Sequence, residues 1–456
     1  MLDLSKLTSY PPPVSFGPVA DVKVRPLLPL STPPAPVTLP SLPPSPRSCT
    51  LGPSWTISTH LIPAAYPRTT PDIDIAPPVF SPNKEKWKQH VADTTNELSQ
   101  LKRKQANGEL DGLKKSEKLL WCVADRYVRK DRKSENVGGA SKGVSLFFAH
   151  ANGFNKEIWE PTLQYLLNSI NTVDIVEIWL WQAINHGDAA LINASNLCGI
   201  YDWVDNARDI LHFLLYYMPS STVDVPPAHL TRLTESVARS RKTFGFQTRQ
   251  LVAVGHSFGG CSVALAAINH PALFSSIIFV DPMIRVLRPD QPLASSAVYK
   301  NVSGAISRRA HWSSRDEARR LFLKSPFFQA WDRAVLDAYI DYGLTEDEQS
   351  GGVKLKMPGF QEAVVFAESL TCYETWLLLD QLHENIELRW IMPGKVPPEE
   401  LVEKQELVWK RPKNSSNVLI HSAGHLISHE APKKLALEIS SFLERKYGVP
   451  SPSSRL

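Results

Sequence analysis

The sequence predicts an α/β fold in which a mostly parallel sheet is covered by helices on both faces. Short, continuous apolar runs, such as residues 251–254 and 276–280, are typical of strands that are buried on both faces. Longer segments with helical character, such as residues 203–218 and 433–446, alternate with these runs along the chain. Strands that alternate with helices in this way indicate parallel pairing through crossover helices.

Size, charge and cysteine usage restrict the class of protein. The chain has 456 residues, of which 37 are proline, and a formal net charge of +4, which is too small to indicate a nucleic-acid-binding protein. The five cysteines have neither disulfide nor metal-site spacing, which favours a reducing compartment and no metal site. The sequence has no secretory signal and no apolar stretch long enough to span a bilayer, so we expect a soluble protein.

The first part of the chain contains two unusual segments. Residues 1–55 form a proline-rich arm, which we expect to be disordered or extended because most of its prolines cannot join a helix or sheet. Residues 83–118 are dense in Lys and Glu and have poor periodicity, which predicts a charged insertion, either a solvated helix or a loop. The insertion lies within the first part of the core, residues 56–284, where strands are predicted at 119–128, 144–149 and 173–181.

The pattern changes after residue 284. Residues 285–370 are helical and interrupted, and Ser314 and Glu317 have the spacing of a capping box that opens a helix. Because this block lies between two predicted core strands, we expect it to be a helical cap inserted into the core. The second part of the core, residues 371–449, contains strands at 386–392 and 417–420 and a final helix, and residues 450–456 form a tail.

The candidate nucleophile is Ser257, in the motif Gly255-His256-Ser257-Phe258-Gly259. The motif follows the apolar strand at 251–254 and precedes a segment that is small and apolar enough to start a buried helix. This is the context that the pattern Gly-x-Ser-x-Gly requires, because the turn holds the serine in a strained conformation at the top of a sheet. The two glycines are needed because a β-carbon at either position would collide with the turn.

A serine hydroxyl becomes an effective nucleophile when a base lies beside it and a carboxylate lies behind the base. We assign the base to His425, in the loop after the last strand, where Gly424 gives the chain room to turn. Three other histidines are less suitable by position, two near the last strand and one beside the nucleophile: His421, His429 and His256.

Two positions stay open for the acid. Asp281 directly follows the strand after the nucleophile helix, at the carboxyl edge of the sheet where ligand-facing groups belong. Glu399 is the first carboxylate after the penultimate strand, which is the commonest place for the acid on such a sheet. The abrupt end of the earlier strand at Asp281-Pro282 favours Asp281.

An oxyanion intermediate also needs two backbone N–H donors. One is expected from Phe258, the residue after the nucleophile. The other is expected from the loop after the strand at 144–149, where Asn152 is the first choice and Gly153 the second. This chemistry needs neither a metal ion nor an organic cofactor.

Together these motifs resemble the α/β-hydrolase superfamily, and within it a fungal group of peroxisomal hydrolases. The group includes yeast peroxisomal lipases, hydrolases of host-selective toxin pathways and acyl-CoA hydrolases of the mycophenolic-acid pathway. The resemblance implies the α/β-hydrolase fold with an inserted cap, and an acid after the strand that follows the nucleophile, which matches Asp281 by position. The arm and the charged insertion look like additions, and His150-Ala151 stands where many relatives have His-Gly. The motifs that carry the resemblance are His150-Ala-Asn-Gly-Phe-Asn-Lys-Glu157, Asn185-His-Gly-Asp188, Trp203-Val-Asp-Asn-Ala-Arg-Asp209, Gly255-His-Ser-Phe-Gly-Gly260, Val280-Asp-Pro282 and Arg308-Arg-Ala-His-Trp-Ser-Ser-Arg315.

We therefore expect a serine hydrolase that cleaves an ester or thioester of an apolar acyl group, as an acyl-CoA thioesterase, lipase or carboxylesterase does. The resemblance also implies a role in toxin or secondary-metabolite biosynthesis. Two alternatives stay open: an acyltransferase on the same fold, and a non-catalytic binding protein on this scaffold. An epoxide or haloalkane hydrolase is disfavoured, because those enzymes use a carboxylate where this chain has Ser257. Four aromatic residues of the cap could line an apolar cleft, although aromatics at this spacing are more often core: Phe322, Phe327, Phe328 and Trp331.

The sequence also predicts a location. It ends in Ser454-Arg455-Leu456, which resembles the peroxisomal address Ser-Lys-Leu, and a tail rich in proline and serine precedes it. We therefore expect the peroxisomal matrix, with the peroxisomal import receptor as a partner. Neither nucleic acid nor a membrane span is expected, and the sequence leaves the oligomeric state open, a homodimer included.

Overall fold

The computed structural model describes residues 6–43, 47–130, 142–222, 225–292, 296–349, 351–368 and 370–449. The tail with its candidate targeting tripeptide, Ser454-Arg455-Leu456, lies outside these ranges. None of the helices in the described ranges combines the length and the apolar character needed to cross a bilayer.

An eight-stranded sheet forms the centre of the molecule, in the order β1-β2-β4-β3-β5-β6-β10-β11. The pairs β1–β2 and β2–β4 are antiparallel, and all the other neighbours in this sheet are parallel. This confirms the predicted mostly parallel sheet. The strands in the described ranges are β1 (Trp55–Pro63), β2 (Trp121–Arg129), β3 (Gly143–Ala149), β4 (Ile175–Gln182), β5 (Arg249–His256), β6 (Ser276–Val280), β7 (His311–Trp312), β8 (Leu344–Glu346), β9 (Val353–Leu355), β10 (Glu387–Pro393) and β11 (Ser415–Ile420).

Helices cover both faces of the sheet. Side chains of β3 alternate between two hydrophobic clusters, because successive residues of a strand point to opposite faces. Phe147 joins the cluster with α4 and α6, whereas Phe148 joins the cluster with α2 and α15. The α-helices in the described ranges are α1 (Lys84–Ala106), α2 (Glu160–Ser169), α3 (Gly187–Ile192), α4 (Trp203–Tyr216), α5 (Glu235–Phe244), α6 (Phe258–Asn269), α7 (Ser296–Ser307), α8 (Arg315–Phe322), α9 (Pro326–Gln329), α10 (Arg333–Gly343), α11 (Gly359–Ala367), α12 (Leu370–Leu378), α13 (Leu401–Trp409), α14 (Ile427–Glu430) and α15 (Pro432–Tyr447).

The cap lies between β6 and β10 in the chain. Helix α8 begins where the capping box was predicted, and the Ser314 hydroxyl accepts a hydrogen bond from the backbone N–H of Glu317 at 3.1 Å. The cap is less purely helical than expected, since β7, β9 and β8 form a small antiparallel sheet within it. Strands of two or three residues are too short to show the alternation by which strands are recognised in a sequence.

The charged insertion is mainly a single helix, α1, which packs against the cap helices α7 and α11. Asn83 caps the helix by accepting hydrogen bonds from the backbone N–H groups of Glu85 and Lys86. Its buried face includes Lys102, whose ammonium lies 2.7 Å from the buried carboxylate of Glu368. Because polar residues occupy part of this face, the hydrophobic periodicity of the sequence is weak although one side of the helix is covered.

For the proline-rich arm the sequence left two states open, disordered or extended chain. Its described residues are irregular, extended chain that lies along the core. The backbone N–H of Tyr10 donates to the side chain of Asn417 at 2.6 Å, and the carbonyl of Thr8 accepts from the backbone N–H of Leu419 on the edge strand β11. Further along, Arg25 pairs with the carboxylates of Asp202 and Glu374. Proline removes backbone donors, but carbonyls and long side chains between the prolines still bind the core.

Candidate active site

The nucleophile turn has the strained geometry that its motif predicts. Ser257 joins β5 to α6 with φ of 54° and ψ of −118°, a left-handed conformation that is unusual for a residue with a side chain. A β-carbon on Gly259 would lie 2.6 Å from the carbonyl oxygens of Ala149 and His150, and one on Gly255 would lie 2.6 Å from the α-carbon of Gly260. The two glycines therefore let the turn approach both its own helix and the end of β3.

His425 lies beside this serine. It follows β11, and its Nε2 atom is 2.9 Å from the Ser257 hydroxyl oxygen, close enough to accept the hydroxyl proton. The His425 side chain is 41% exposed, whereas Ser257 is only 7% exposed. The predicted base and nucleophile are thus adjacent, and solvent reaches the pair from the side of the imidazole.

Asp281 completes the group. It directly follows β6, and its Oδ2 atom accepts a hydrogen bond of 2.7 Å from Nδ1 of His425. The backbone N–H of Ser257 donates to the carbonyl of Val280, and that of Met283 donates to the carbonyl of Ser257, so the two turns are bonded to each other. Of the two carboxylates that the sequence left open, the structure brings Asp281 to the imidazole and leaves Glu399 exposed after β10.

The charge of Asp281 is compensated on its other side. Burial by itself disfavours the ionised carboxylate, but the Lys404 ammonium and the hydrogen bond from His425 outweigh burial and hold the pKa of Asp281 below its ordinary value. Lys404 Nζ lies 2.7 Å from Oδ1, the oxygen that does not face His425. Nothing in the sequence distinguishes Lys404 from the other lysines and arginines, which number 50 in all, and sequence reasoning missed it.

His256, beside the nucleophile, supports the loop of His425 and does not act on the serine. Its Nε2 donates to the backbone carbonyl of His425 at 2.9 Å, and its Nδ1 lies 3.1 Å from the hydroxyl of Ser428. Burial lowers the pKa of His256 to about 3, so the ring is neutral in the folded protein near neutral pH. Its role was also missed, because a loop carbonyl as a partner leaves no pattern in the sequence.

The two predicted oxyanion donors lie on either side of the nucleophile turn. Phe258 is the first residue of α6, where backbone N–H groups have no acceptor within the helix. Asn152 lies in the loop after β3, which Gly259 allows to come close. The alternative donor, the N–H of Gly153, bonds to Nε2 of His186 at 3.1 Å. The N–H of Gly153 therefore already has a partner, and Asn152 stays the predicted donor.

Aromatic residues of the cap reach the histidines of the site. Phe328 and Trp331 pack with their ring centroids 5.0 Å apart, and Trp331 lies 4.4 Å from the ring of His429. His429 in turn lies 6.0 Å from the ring of His256. Of the four aromatics named from the sequence, Phe327 is exposed, whereas Phe322 and Trp331 are buried in this cluster.

No group of three or more His, Cys, Asp or Glu side chains within the described ranges could hold a metal ion. The arrangement that the described residues do provide is a hydroxyl, an imidazole and a carboxylate in a hydrogen-bonded row, next to a helix N-terminus. Such a row can deprotonate the hydroxyl while the helix N-terminus faces developing negative charge.

Comparison with known proteins identifies several curated proteins to which this chain is similar. The chain is 24% identical over 271 residues to peroxisomal membrane protein LPX1 of Saccharomyces cerevisiae, covering 55% of this chain and 62% of the relative. It is 25% identical over 241 residues to type I acyl-CoA thioesterase mpaH of Penicillium brevicompactum, covering 48% and 49%. It is 34% identical over 119 residues to abhydrolase domain-containing protein AFT2-1 of Alternaria alternata, covering 25% and 43%.

The chain thus spans between about two fifths and three fifths of the length of these curated relatives. Among solved structures, that of the peroxisomal alpha-beta-hydrolase Lpx1 from Saccharomyces cerevisiae is similar in fold, with a TM-score of 0.59 and 18% identity. That similarity covers 88% of this chain and 92% of the yeast chain. The model of the Alpha/beta hydrolase family matches residues 146–438, which is more than half of the sequence, and the chain therefore belongs to this family.

Proposed function

We propose that this protein is a serine hydrolase that cleaves esters or thioesters of apolar acyl groups. The observation that carries the proposal is the hydrogen-bonded row of Ser257, His425 and Asp281, with distances of 2.9 and 2.7 Å between successive side chains. A hydroxyl in such a row becomes nucleophilic because the imidazole accepts its proton and the carboxylate stabilises the imidazolium that forms.

The steps follow from the positions of these groups. The Ser257 oxygen attacks the acyl carbonyl while Nε2 of His425 takes the hydroxyl proton. The backbone N–H groups of Phe258 and Asn152 receive the oxyanion, and His425 then gives its proton to the departing alcohol or thiol. Water repeats the sequence on the acyl-serine and releases the acid. Through both halves, Asp281 keeps Nδ1 of His425 protonated and the ring correctly oriented.

The aromatic cluster of the cap supports the proposal that the acyl group of the substrate is apolar. Phe154, from the loop of the oxyanion donor Asn152, packs 5.5 Å from Trp331 and 4.2 Å from His429. Aromatic rings on this side of the site offer an apolar surface of the kind that an acyl chain favours. The thioester option is supported by the relative that is named an acyl-CoA thioesterase.

We also propose that the protein works in the peroxisome. The support is the yeast relative, which is named a peroxisomal membrane protein, together with the tripeptide Ser454-Arg455-Leu456. A peroxisomal site agrees with acyl-CoA thioesters as substrates, since these are intracellular metabolites.

The proposal is tested with Ser257→Ala, which removes the attacking oxygen and leaves the turn intact. We expect kcat to fall by roughly 10³- to 10⁶-fold on acyl-CoAs and on p-nitrophenyl esters, because the covalent step is lost. Labelling by a fluorophosphonate probe should disappear at the same time. A matched control is Ser307→Ala at the exposed end of α7, which should turn over and label as the wild type does.

Near-normal turnover by Ser257→Ala would contradict the mechanism. Comparing the rates of the wild type on acyl-CoAs and on simple esters identifies the preferred leaving group. If the acyl group passes to an added alcohol or amine faster than to water, the protein is an acyltransferase on the same fold.

A further inference from the structure

Lys404 contacts the triad carboxylate from the side opposite His425. It belongs to α13, the helix after β10, and its ammonium lies 2.7 Å from Oδ1 of Asp281. His425 binds Oδ2 of the same carboxylate. With each oxygen bound to a different partner, the carboxylate cannot rotate without breaking a charge-assisted hydrogen bond.

Besides His425 and Lys404, three titratable groups of the described residues lie near this carboxylate or its lysine, and each comes from a different part of the chain. Glu400, one turn before Lys404, has a carboxylate oxygen 3.7 Å from Nζ and shares its charge. The phenol of Tyr10, from the arm, is buried nearby, and burial together with Asp281 and Glu400 raises its pKa. His256 is held neutral by burial. Lys404 is therefore the cation that balances Asp281 whenever His425 is neutral.

The position of Lys404 is fixed by the arm. Three side chains of the last turns of α13 bind arm backbone: Trp409 donates to the carbonyl of Tyr10 at 2.9 Å and Gln405 to that of Pro11 at 2.9 Å. Glu406 accepts from the backbone N–H of Gly17 at 2.8 Å. These bonds hold the helix against the core on the side where Lys404 projects towards Asp281.

We propose that Lys404 is a positioning residue of the triad, which holds the Asp281 carboxylate in line with His425 and offsets part of its charge. The inference rests on the proposed hydrolase function. Its physical basis is Coulombic: a buried carboxylate with no second partner stabilises an adjacent imidazolium more strongly than one that already faces an ammonium. The expected consequence is activity that extends further into the acid range.

The test is the pH dependence of kcat/KM on an uncharged ester, such as p-nitrophenyl butyrate, between pH 5 and 9. Lys404→Met should move the acid limb of the profile upwards by about 0.5 to 1 pH unit, because uncompensated Asp281 favours the protonated imidazole. It should also lower kcat at pH 8 by about tenfold as the carboxylate loses its second anchor. Lys404→Arg, which keeps the charge, should retain the acid limb of the wild type.

The control is Lys410→Met. This lysine lies just after α13 and pairs with Asp380 at 3.3 Å, away from the triad, so its replacement should leave the profile unchanged. If Lys404→Met does not fold, Lys404→Gln carries the test, since it keeps a donor to Oδ1 and removes only the charge. An acid limb for Lys404→Gln or Lys404→Met that coincides with that of the wild type overturns the inference.

A different experimental result would contradict the proposed hydrolase function itself. Wild-type protein that neither hydrolyses the ester nor reacts with a fluorophosphonate would overturn the serine hydrolase proposal and the role of Lys404 with it. Wild-type protein that is active and labelled, with Lys404 variants that match it at every pH, would overturn the role of Lys404 alone.

Discussion

Two of the three triad residues lie in backbone conformations that side chains rarely adopt. Ser257 has φ of 54° and Asp281 has φ of 36°, and each directly follows a parallel strand of the sheet. Such conformations cost on the order of 1–3 kcal/mol each and persist only where the surroundings impose them. Here the two turns bond to each other through Ser257, Val280 and Met283, so each strained turn supports the other.

The acid can be assigned by comparing two amide substitutions. Asp281→Asn should lower kcat by about 10⁴-fold, because an amide neither holds Nδ1 of His425 protonated nor balances the imidazolium. Glu399→Gln should change kcat by less than about twofold, since Glu399 is exposed beyond β10. Steady-state kinetics on one ester decide the matter, and the opposite ranking of the two variants would move the acid to the later position.

Because the elements around the nucleophile approach closely, a larger residue in the turn should lower both stability and activity. In Gly259→Ala, the added β-carbon would meet the carbonyls of Ala149 and His150, which cannot move without displacing the loop of Asn152. We expect the free energy of unfolding to fall by about 1–3 kcal/mol and kcat/KM to fall at least about tenfold.

Gly304→Ala is the matched control for this substitution. Gly304 lies in α7 with nothing within 4 Å of the position of its β-carbon, so alanine should raise helix stability by up to about 1 kcal/mol and leave kcat/KM unchanged. Urea denaturation and ester kinetics measure both variants. A Gly259→Ala protein as stable and active as the wild type would show that the turn and the loop are not in contact.

Elements with strong patterns could be predicted from the sequence, and elements with mixed faces could not. The strand Ser276–Val280 is apolar from its second residue on, and helix α4 begins at the predicted residue 203, after Asp202, whose side chain accepts from the N–H of Val204. Helix α1 and the arm instead meet the core through groups such as Lys102 and Arg25, which usually indicate solvent. Their burial depends on carboxylates far away in sequence, and no local pattern records such a pairing.

The residues of the candidate site also fall into two groups, those that could be predicted from the sequence and those that could not. Ser257, His425 and Asp281 could be placed because the order of strand ends along the chain limits where each group can lie. Lys404 and His256 act on these residues through contacts across 123 and 169 positions of the chain, and spacing along the sequence gives no information about either contact.

At the scale of the whole molecule, the proposed location can be tested in living cells. A fluorescent protein fused to the N-terminus should give peroxisomal puncta, and removal of Ser454-Arg455-Leu456 should make the signal diffuse if this tripeptide is the import signal, as proposed. The matched control, Pro452→Ala, changes the tail without touching the tripeptide and should leave the puncta intact. Diffuse signal from the intact chain would argue against the peroxisome, and puncta without the tripeptide would show that another segment directs import.

The attachment of the arm has a consequence for how the protein is made. Tyr10 is synthesised before its partners Trp409 and Asn417, which follow it by 399 and 407 positions. The arm therefore cannot form these contacts until the residues between it and its partners have been translated, and contacts of such sequence separation form late because loop closure is slow. The edge of β11 and the helix that carries Lys404 thus acquire this support late in folding, after the intervening core has been made.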